Sequence, residues 1–126
     1  MKNDCVFCLE NVRHGILLEN EHAFSILDGY PVSEGHHLVI TKRHVSDFFL
    51  LRTEEKLSVD AILGDIRNSL LSRDKTITGF NLGVNIGKSA GQTIFHVHIH
   101  LIPRRDGDTP NPRGGVRGVI PERMSY

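Results

Sequence analysis

The 126-residue sequence predicts an α+β domain with a mainly antiparallel five-stranded sheet, one long helix and one short one. Three observations carry that reading. Apolar runs fall in the order strand, strand, strand, helix, strand, strand. Their connections are mostly short, which suits antiparallel neighbours, since parallel strands need long crossovers. Helical spacing is sustained only after Thr53.

Residues 14–19 and 22–27 read as the first two strands, separated by polar Asn20-Glu21 in a hairpin. Asp28-Gly29-Tyr30-Pro31-Val32-Ser33-Glu34-Gly35 is turn chemistry, and a third strand resumes at 37–41. Ser46 or Asp47 is placed to cap a short helix through Phe48, Phe49 and Leu50. Thr53 reads as the N-cap of the main helix, with Glu54 and Glu55 at the positive end of its dipole. Leu57, Ala61, Ile62, Ile66, Ser69 and Leu70 define its buried face, as far as about Ser72. The fourth strand is expected at 80–86 and the fifth at 94–102. Residues 106–126, rich in glycine, proline and arginine, read as an extended tail on a catalytic domain spanning 1–105, placed to drape over a site.

Fifteen basic and fifteen acidic residues give a formal charge of zero, which argues against nucleic acid as the main partner. The start lacks the apolar run of a signal peptide, and no segment approaches the ~20 apolar residues of a membrane span. The expected setting is the cytoplasm, with no membrane partner.

The chemistry concentrates in His96-Val97-His98-Ile99-His100-Leu101-Ile102. Period-two alternation places the three imidazoles on one strand face with Ile94 and Ile102, and Phe95, Val97, Ile99 and Leu101 on the core face. A metal site and a nucleophile with supporting groups both fit such a face. Three same-face residues span about 13 Å, so one ion seldom takes all three. A metal ligand at one end with chemistry at the others fits better. Cys5-Val6-Phe7-Cys8 reads as a redox dithiol, half of a zinc site, or two incidental small residues; no thioredoxin-like βαβ pattern follows, so zinc is favoured. Asn85, Gln92 and Thr93, around the Gly87–Gly91 loop, offer neutral donors suited to a phosphoryl centre.

Together these residues resemble the histidine-triad (HIT) family of nucleotide hydrolases and transferases. The signature His-φ-His-φ-His-φ-φ, with φ apolar, matches residues 96–102 at every position. Gly91-Gln92-Thr93, the run from Gly35 to His44, and Cys5-x-x-Cys8 match in order. The resemblance covers about residues 4–105, and extends to bacterial-type zinc-containing members and to diadenosine polyphosphate hydrolases. It implies the HIT-like fold, with the sheet extended across a homodimer. It makes His98 the nucleophile at the α-phosphorus of a purine nucleotide substrate, through a nucleotidyl-histidine intermediate. His100 and His36 would orient that ring and bind phosphate, Gln92 and Thr93 would hold the phosphoryl and leaving groups, and Asn85 would contact phosphate. Asp28 matches the acidic position that binds ribose hydroxyls. Cys5, Cys8, His44 and His96 match the ligands of one structural zinc per chain, with no organic cofactor. Phe7, Ile26 and Leu27 are candidate apolar contacts for the base, although apolar residues fill cores by default.

Two features depart from the pattern: Thr41 stands where many relatives carry proline, and Arg113 and Arg117 lie in the tail beyond the signature. Those two arginines would reach a distal phosphate or remain solvated. The expected function is hydrolysis of a dinucleoside polyphosphate such as diadenosine tetra- or triphosphate. The alternatives are a nucleoside phosphoramidase, a nucleotidyltransferase, or a non-enzymatic nucleotide-binding regulatory module. A zinc-only structural domain would leave His98, His100 and Gln92 idle.

Overall fold

A computed structural model describes residues 3–126. The chain forms α1 (Leu9–Val12), β1 (Leu18–Glu19), β2 (Ala23–Leu27), β3 (His37–Thr41), α2 (Thr53–Arg73), β4 (Ile77–Gly83) and β5 (His98–Arg105), with short 3₁₀ turns between and after them. The five strands make one sheet in the order β1-β2-β3-β5-β4, and every neighbouring pair is antiparallel. The last strand in sequence is therefore interior to the sheet. It pairs with β3 through Ile40↔His98 and Leu38↔His100, and with β4 through Gly83↔His100 and Leu82↔Leu101. A side chain on β5 thus projects from a backbone held on both edges.

The sheet separates two apolar layers. On one face α2 buries Val59, Ile62, Ile66 and Leu70 against Ala23, Val39, Val97, Ile99 and Leu101. Each such aliphatic side chain contributes roughly 1.5–3 kcal/mol when fully buried. On the other face Phe7, Phe24, Ile26, Leu38 and Ile40 form a second cluster, against which Leu9, Val12 and Ile16 pack. Alternation along β5 sends Ile99 and Leu101 toward α2 and leaves His98 and His100 on the second face.

Several boundaries differ from the sequence-based expectation, each for an identifiable reason. The first strand shrinks to two residues, because Arg13–Gly15 close a 3₁₀ turn that carries the chain away from α1. Helix α1 itself gives no periodic signal, being a single turn. The short helix at Phe48–Leu50 is a 3₁₀ turn whose cap is Asp47, accepting from the Phe49 amide at 2.8 Å. The cap of α2 is Arg52 rather than Thr53, and Leu57, Ala61 and Ser69 face solvent while Glu55 and Val59 turn inward. The fourth strand begins three residues early, at Ile77. The fifth begins at His98, because Val97 N–H leaves the sheet to donate to the Val45 carbonyl at 2.8 Å. Phe95, expected in the core, is consequently exposed. The tail is not extended: it folds into two 3₁₀ turns, Gly115–Val119 and Pro121–Arg123.

The inward-facing Glu55 is satisfied on all sides. Its carboxylate accepts from Arg43 Nε at 3.0 Å and Nη2 at 2.8 Å, and from the Arg52 amide at 2.8 Å. It therefore caps α2 and ties it to the segment after β3. The Arg43 guanidinium lowers the Glu55 pKa to about 2. A depressed carboxylate stabilises the fold above its unfolded pKa of about 4.3, and that contribution fades as pH falls toward 2. Glu55→Gln is expected to cost about 2 kcal/mol at neutral pH. It should also flatten the dependence of stability on pH between 4 and 2, which denaturant titrations across that range would check; an unchanged slope would assign acid sensitivity elsewhere.

Candidate active site

The site gathers where β5, the start of β3 and the loop after β2 meet on the face opposite α2. A cavity of about 520 Å³ there is lined by His98, His100, His36, Asp28, Asn85, Thr93, Phe7 and Ile26, with Tyr30 and Val32 at the same opening. His98 is held from behind. Its Nδ1–H donates to the His96 carbonyl at 2.8 Å, and the Phe7 ring packs against it with centroids 4.9 Å apart. A carbonyl can only accept, so the proton of the neutral ring sits on Nδ1 and the Nε2 lone pair is free. An imidazole in that tautomer is equipped for nucleophilic attack.

The tautomers of His36 and His100 follow from one obligatory donor. Val32 N–H donates to His36 Nδ1 at 3.1 Å, so the His36 proton lies on Nε2. His36 Nε2–H then donates to His100 Nδ1 at 2.9 Å, which leaves the His100 proton on Nε2. Burial lowers the pKa of both rings; for His100 the neighbouring His98 and His36 add to the effect, whereas Asp28 opposes it at both. The neutral chain is thus the form that burial favours. Asp28 Oδ2 lies 3.3 Å from His36 Nε2, while its Oδ1 accepts from the Tyr30 amide at 2.7 Å. Although Asp28, His36 and His100 converge, they are not a metal cage: both His36 nitrogens and His100 Nδ1 are already used.

A second cluster sits beside the first. Ligand atoms of Cys5, Cys8, His44 and His96 all lie within 4.8 Å of one another. His44 Nδ1 and His96 Nδ1 are 3.2 Å apart, Cys5 Sγ and Cys8 Sγ each lie 3.4 Å from one of them, and the Cys8–His96 separation is 3.7 Å. A tetrahedral ion with metal–sulfur bonds of ~2.3 Å and metal–nitrogen bonds of ~2.0–2.1 Å has ligand–ligand edges of roughly 3.3–3.8 Å. The cluster fits that frame. His96 Nε2–H donates to the Thr41 carbonyl at 2.7 Å, which frees Nδ1 as a ligand. Burial pushes the Cys8 thiol up, so a cation is what would hold it as thiolate there. Thr41 keeps the carbonyl that His96 needs, and its hydroxyl donates to the Arg43 carbonyl at 3.0 Å.

Two candidates are not brought to the cavity. Gln92 is buried and fully occupied: Oε1 accepts from the Gly87 amide at 2.8 Å, and Nε2 donates to the Ser46 and Ile94 carbonyls at 2.9 and 3.3 Å. It pins the 87–93 loop, and Asn85, just before that loop, and Thr93 within it are the neutral side chains that reach the cavity. Leu27 points to the α2 side of the sheet, because strand alternation opposes it to Ile26. The same rule turns His37 under α2 and His36 toward the cavity. Arg113 and Arg117 line neither this cavity nor the adjoining chamber beside the histidines and remain exposed, with their guanidinium groups 4.6 and 5.1 Å from the centroid of the exposed Tyr126 ring. Residues that the sequence analysis missed are Tyr30 and Val32 at the cavity mouth and Val116 and Val119 from the tail. No local pattern marks them, since only the fold carries the tail beside β4.

Fold and site together define a nucleotide-processing hydrolase or transferase of the histidine-triad type. The HIT domain description matches residues 10–107, and the chain belongs to that family. It is 39% identical over 105 residues to a HIT-like protein of Mycoplasma pneumoniae, covering 81% of this chain and 72% of the other. It is 36% identical over 113 residues to the adenylylsulfatase HINT3 of Arabidopsis thaliana, covering 86% of this chain and 56% of that protein. Among solved structures, a zinc-bound histidine triad family protein from Mycobacterium smegmatis superposes with a TM-score of 0.75 at 35% identity, over 86% of this chain and 80% of that one. Among the described residues, no helix is long and apolar enough to cross a membrane.

Proposed function

We propose that the protein hydrolyses a nucleoside 5′-phosphate derivative at its α-phosphorus, with His98 as the nucleophile. The observation that carries this reading is the His98 tautomer: Nδ1–H is held by the His96 carbonyl, and the ring lines the cavity. In the first step a bond forms between Nε2 and phosphorus as the bond from phosphorus to the leaving oxygen or nitrogen breaks. The leaving group takes up a proton from solvent, and His100 Nε2–H, oriented by the chain from Val32 and His36, is placed to donate a hydrogen bond to it. In the second step a water oxygen bonds to phosphorus, the phosphorus–nitrogen bond breaks, and the water proton is released to solvent, which restores the free Nε2 of His98. Asn85 and Thr93 contribute neutral donors to the phosphoryl oxygens, Asp28 accepts ribose hydroxyls, and Phe7 and Ile26 contact the base.

Within that reaction class the lining favours a phosphoramidate or similar single-phosphate substrate over the dinucleoside polyphosphate first expected. Among the described residues, no lysine or arginine lines the cavity. A tri- or tetraphosphate bridge carries several negative charges that phosphoryl-transfer sites hold with cations. The four-ligand cluster is proposed to hold one structural zinc, which would stiffen the segment carrying the His96 carbonyl and take no part in the displacement. A homodimer with a continuous sheet is the proposed assembly, and the cytoplasm the proposed location.

The test is a substrate panel: adenosine 5′-phosphoramidate, diadenosine triphosphate and diadenosine tetraphosphate, with AMP release followed for each. The phosphoramidate is expected to show the highest kcat/KM. Faster cleavage of the diadenosine compounds would restore the polyphosphate reading, and no AMP from any of them would refute the hydrolase.

A further inference from the structure

A cleft of about 970 Å³ opens on the opposite face of the sheet from the catalytic cavity, between α2 and the β1–β2 hairpin. That size is ordinary for a ligand pocket. Its body is apolar: Ile66 and Leu70 of α2 face Leu18 of β1, Leu27 of β2 and Leu17 just before β1. Leu17 and Leu27 are each 54% exposed, so apolar surface lies open to water at the mouth. The catalytic cavity shares no residue with this cleft. The two lie back to back across one peptide unit, with His36 turned into the cavity and His37 into the cleft.

His37 supplies the buried polar group of the cleft. The residue is 6% exposed, and its Nδ1–H donates to the Gly35 carbonyl. Gly35 holds that carbonyl in a left-handed turn, φ 94°, where a Cβ would press on Pro103 Cγ at 3.1 Å. A carbonyl only accepts, so the lone pair of the neutral ring sits on Nε2. Among the described residues Nε2 has no hydrogen-bond partner, and no side-chain nitrogen or oxygen sealed from solvent lacks one. Nε2 therefore opens into the cleft that the residue lines. Burial pushes the His37 pKa down, the Gly35 hydrogen bond opposes it, and the nearby Arg73 charge adds to the fall. The ring stays neutral and Nε2 stays an acceptor.

The charges around the cleft are unevenly paired. Arg105 is fully engaged: Nη2 donates to Asp74 Oδ2 at 2.9 Å and to the Glu34 carbonyl at 3.0 Å, and Nε donates to Thr76 Oγ1 at 3.1 Å. Arg73 Nε donates to the Ser69 carbonyl at 3.4 Å. The carboxylates of Glu34 and Asp65, by contrast, enter no ion pair among the described residues. With Asp74 and Arg105 cancelling, two carboxylates face one guanidinium. We propose that the cleft is a second ligand site, for an amine with an aromatic or aliphatic body whose ammonium donates to His37 Nε2 and is balanced by Glu34 and Asp65. The apolar body would cover the leucine surface at the mouth. A carboxylate or phosphate in the place of the ammonium would bring no donor to the His37 lone pair and would lose its hydration uncompensated there. The inference is independent of the hydrolase reading.

The test titrates the full-length protein with three probes of nearly one shape, 2-(1-naphthyl)ethylamine, 2-(1-naphthyl)ethanol and 1-naphthylacetate, and follows backbone amide shifts by NMR. The amine is expected to bind about tenfold more tightly than the alcohol, with the carboxylate weakest, and to move the amides of Leu27, Gly35 and His37. His37→Phe should weaken the amine about tenfold. His37 is buried, so a change on the exposed surface of α2 gives an independent check. Asp65→Lys should weaken the amine and strengthen the carboxylate, opposite movements that misfolding cannot produce. Equal affinities for the three probes, or an amine unaffected by both variants, overturns the inference. Shifts centred on Asn85, Thr93 and His98 would place the amine in the catalytic cavity and do the same. If Leu27→Lys lowers the oligomeric mass, a second copy of the chain covers the cleft and the inference fails.

Discussion

His98→Ala is expected to reduce kcat/KM by about 10⁴-fold or more, the scale seen when the nucleophile of a covalent mechanism is removed. No neighbour is free to replace it. Both nitrogens of His36 are hydrogen-bonded, and His100 Nδ1 accepts from His36. Asp28 lines the cavity but has one oxygen tied to the Tyr30 amide. The variant also opens a void beside Phe7, so folding must be measured separately. A thermal melt near the wild-type midpoint combined with lost turnover assigns the loss to chemistry. Acid-quenching a reaction with AMP-labelled substrate sharpens the result, because wild type should retain label on protein and His98→Ala should not. Undiminished turnover in the variant would remove His98 from the mechanism.

Disrupting the four-ligand cluster is expected to have the largest effect on stability. Cys8→Ser or His96→Asn should abolish stoichiometric zinc and destabilise the fold by about 3–5 kcal/mol, or roughly 10 °C or more in Tm. The reason is topological. Cys5 and Cys8 precede α1, His44 follows β3, and His96 precedes β5, so one ion would bind three segments distant in sequence. Activity should fall along with stability, since the His96 carbonyl that orients His98 belongs to a ligand residue. Metal analysis after chelator-free purification, followed by melts with and without a chelator, checks both parts. A protein that carries no zinc and melts identically in the chelator would rule the structural metal out.

Much of this arrangement is legible in the chain. The alternation through 98–102 announces a half-buried strand whose polar face is made of imidazole, and the third strand at 37–41 is found where the apolar run places it. The spacing of Cys5 and Cys8 suggests half of a zinc site, the family resemblance supplies His44 and His96, and the fold brings the four together. Other features are not local. Leu57 satisfies the helical pattern as well as Val59 does, yet it faces solvent, because only the docking angle of α2 on the sheet chooses between adjacent stripes. Gln92 beside the histidine strand reads as a substrate contact, but the amide was required by unpaired backbone groups at Gly87, Ser46 and Ile94.

The sequence by itself determined the fold class, the residues able to do phosphoryl chemistry and those able to hold a metal, because side-chain type and short-range periodicity are local properties. Only the tertiary structure decided the rest. It placed β5 between β3 and β4, and lifted His96 out of the sheet toward the cysteines. It set the tautomers of His98, His36 and His100 through backbone groups that no motif specifies. It also brought Val116 and Val119 beside a site whose histidines lie sixteen or more residues earlier in the chain. Those outcomes depend on which backbone donors and apolar surfaces remain unsatisfied once the chain is compact, and that is a property of the whole fold.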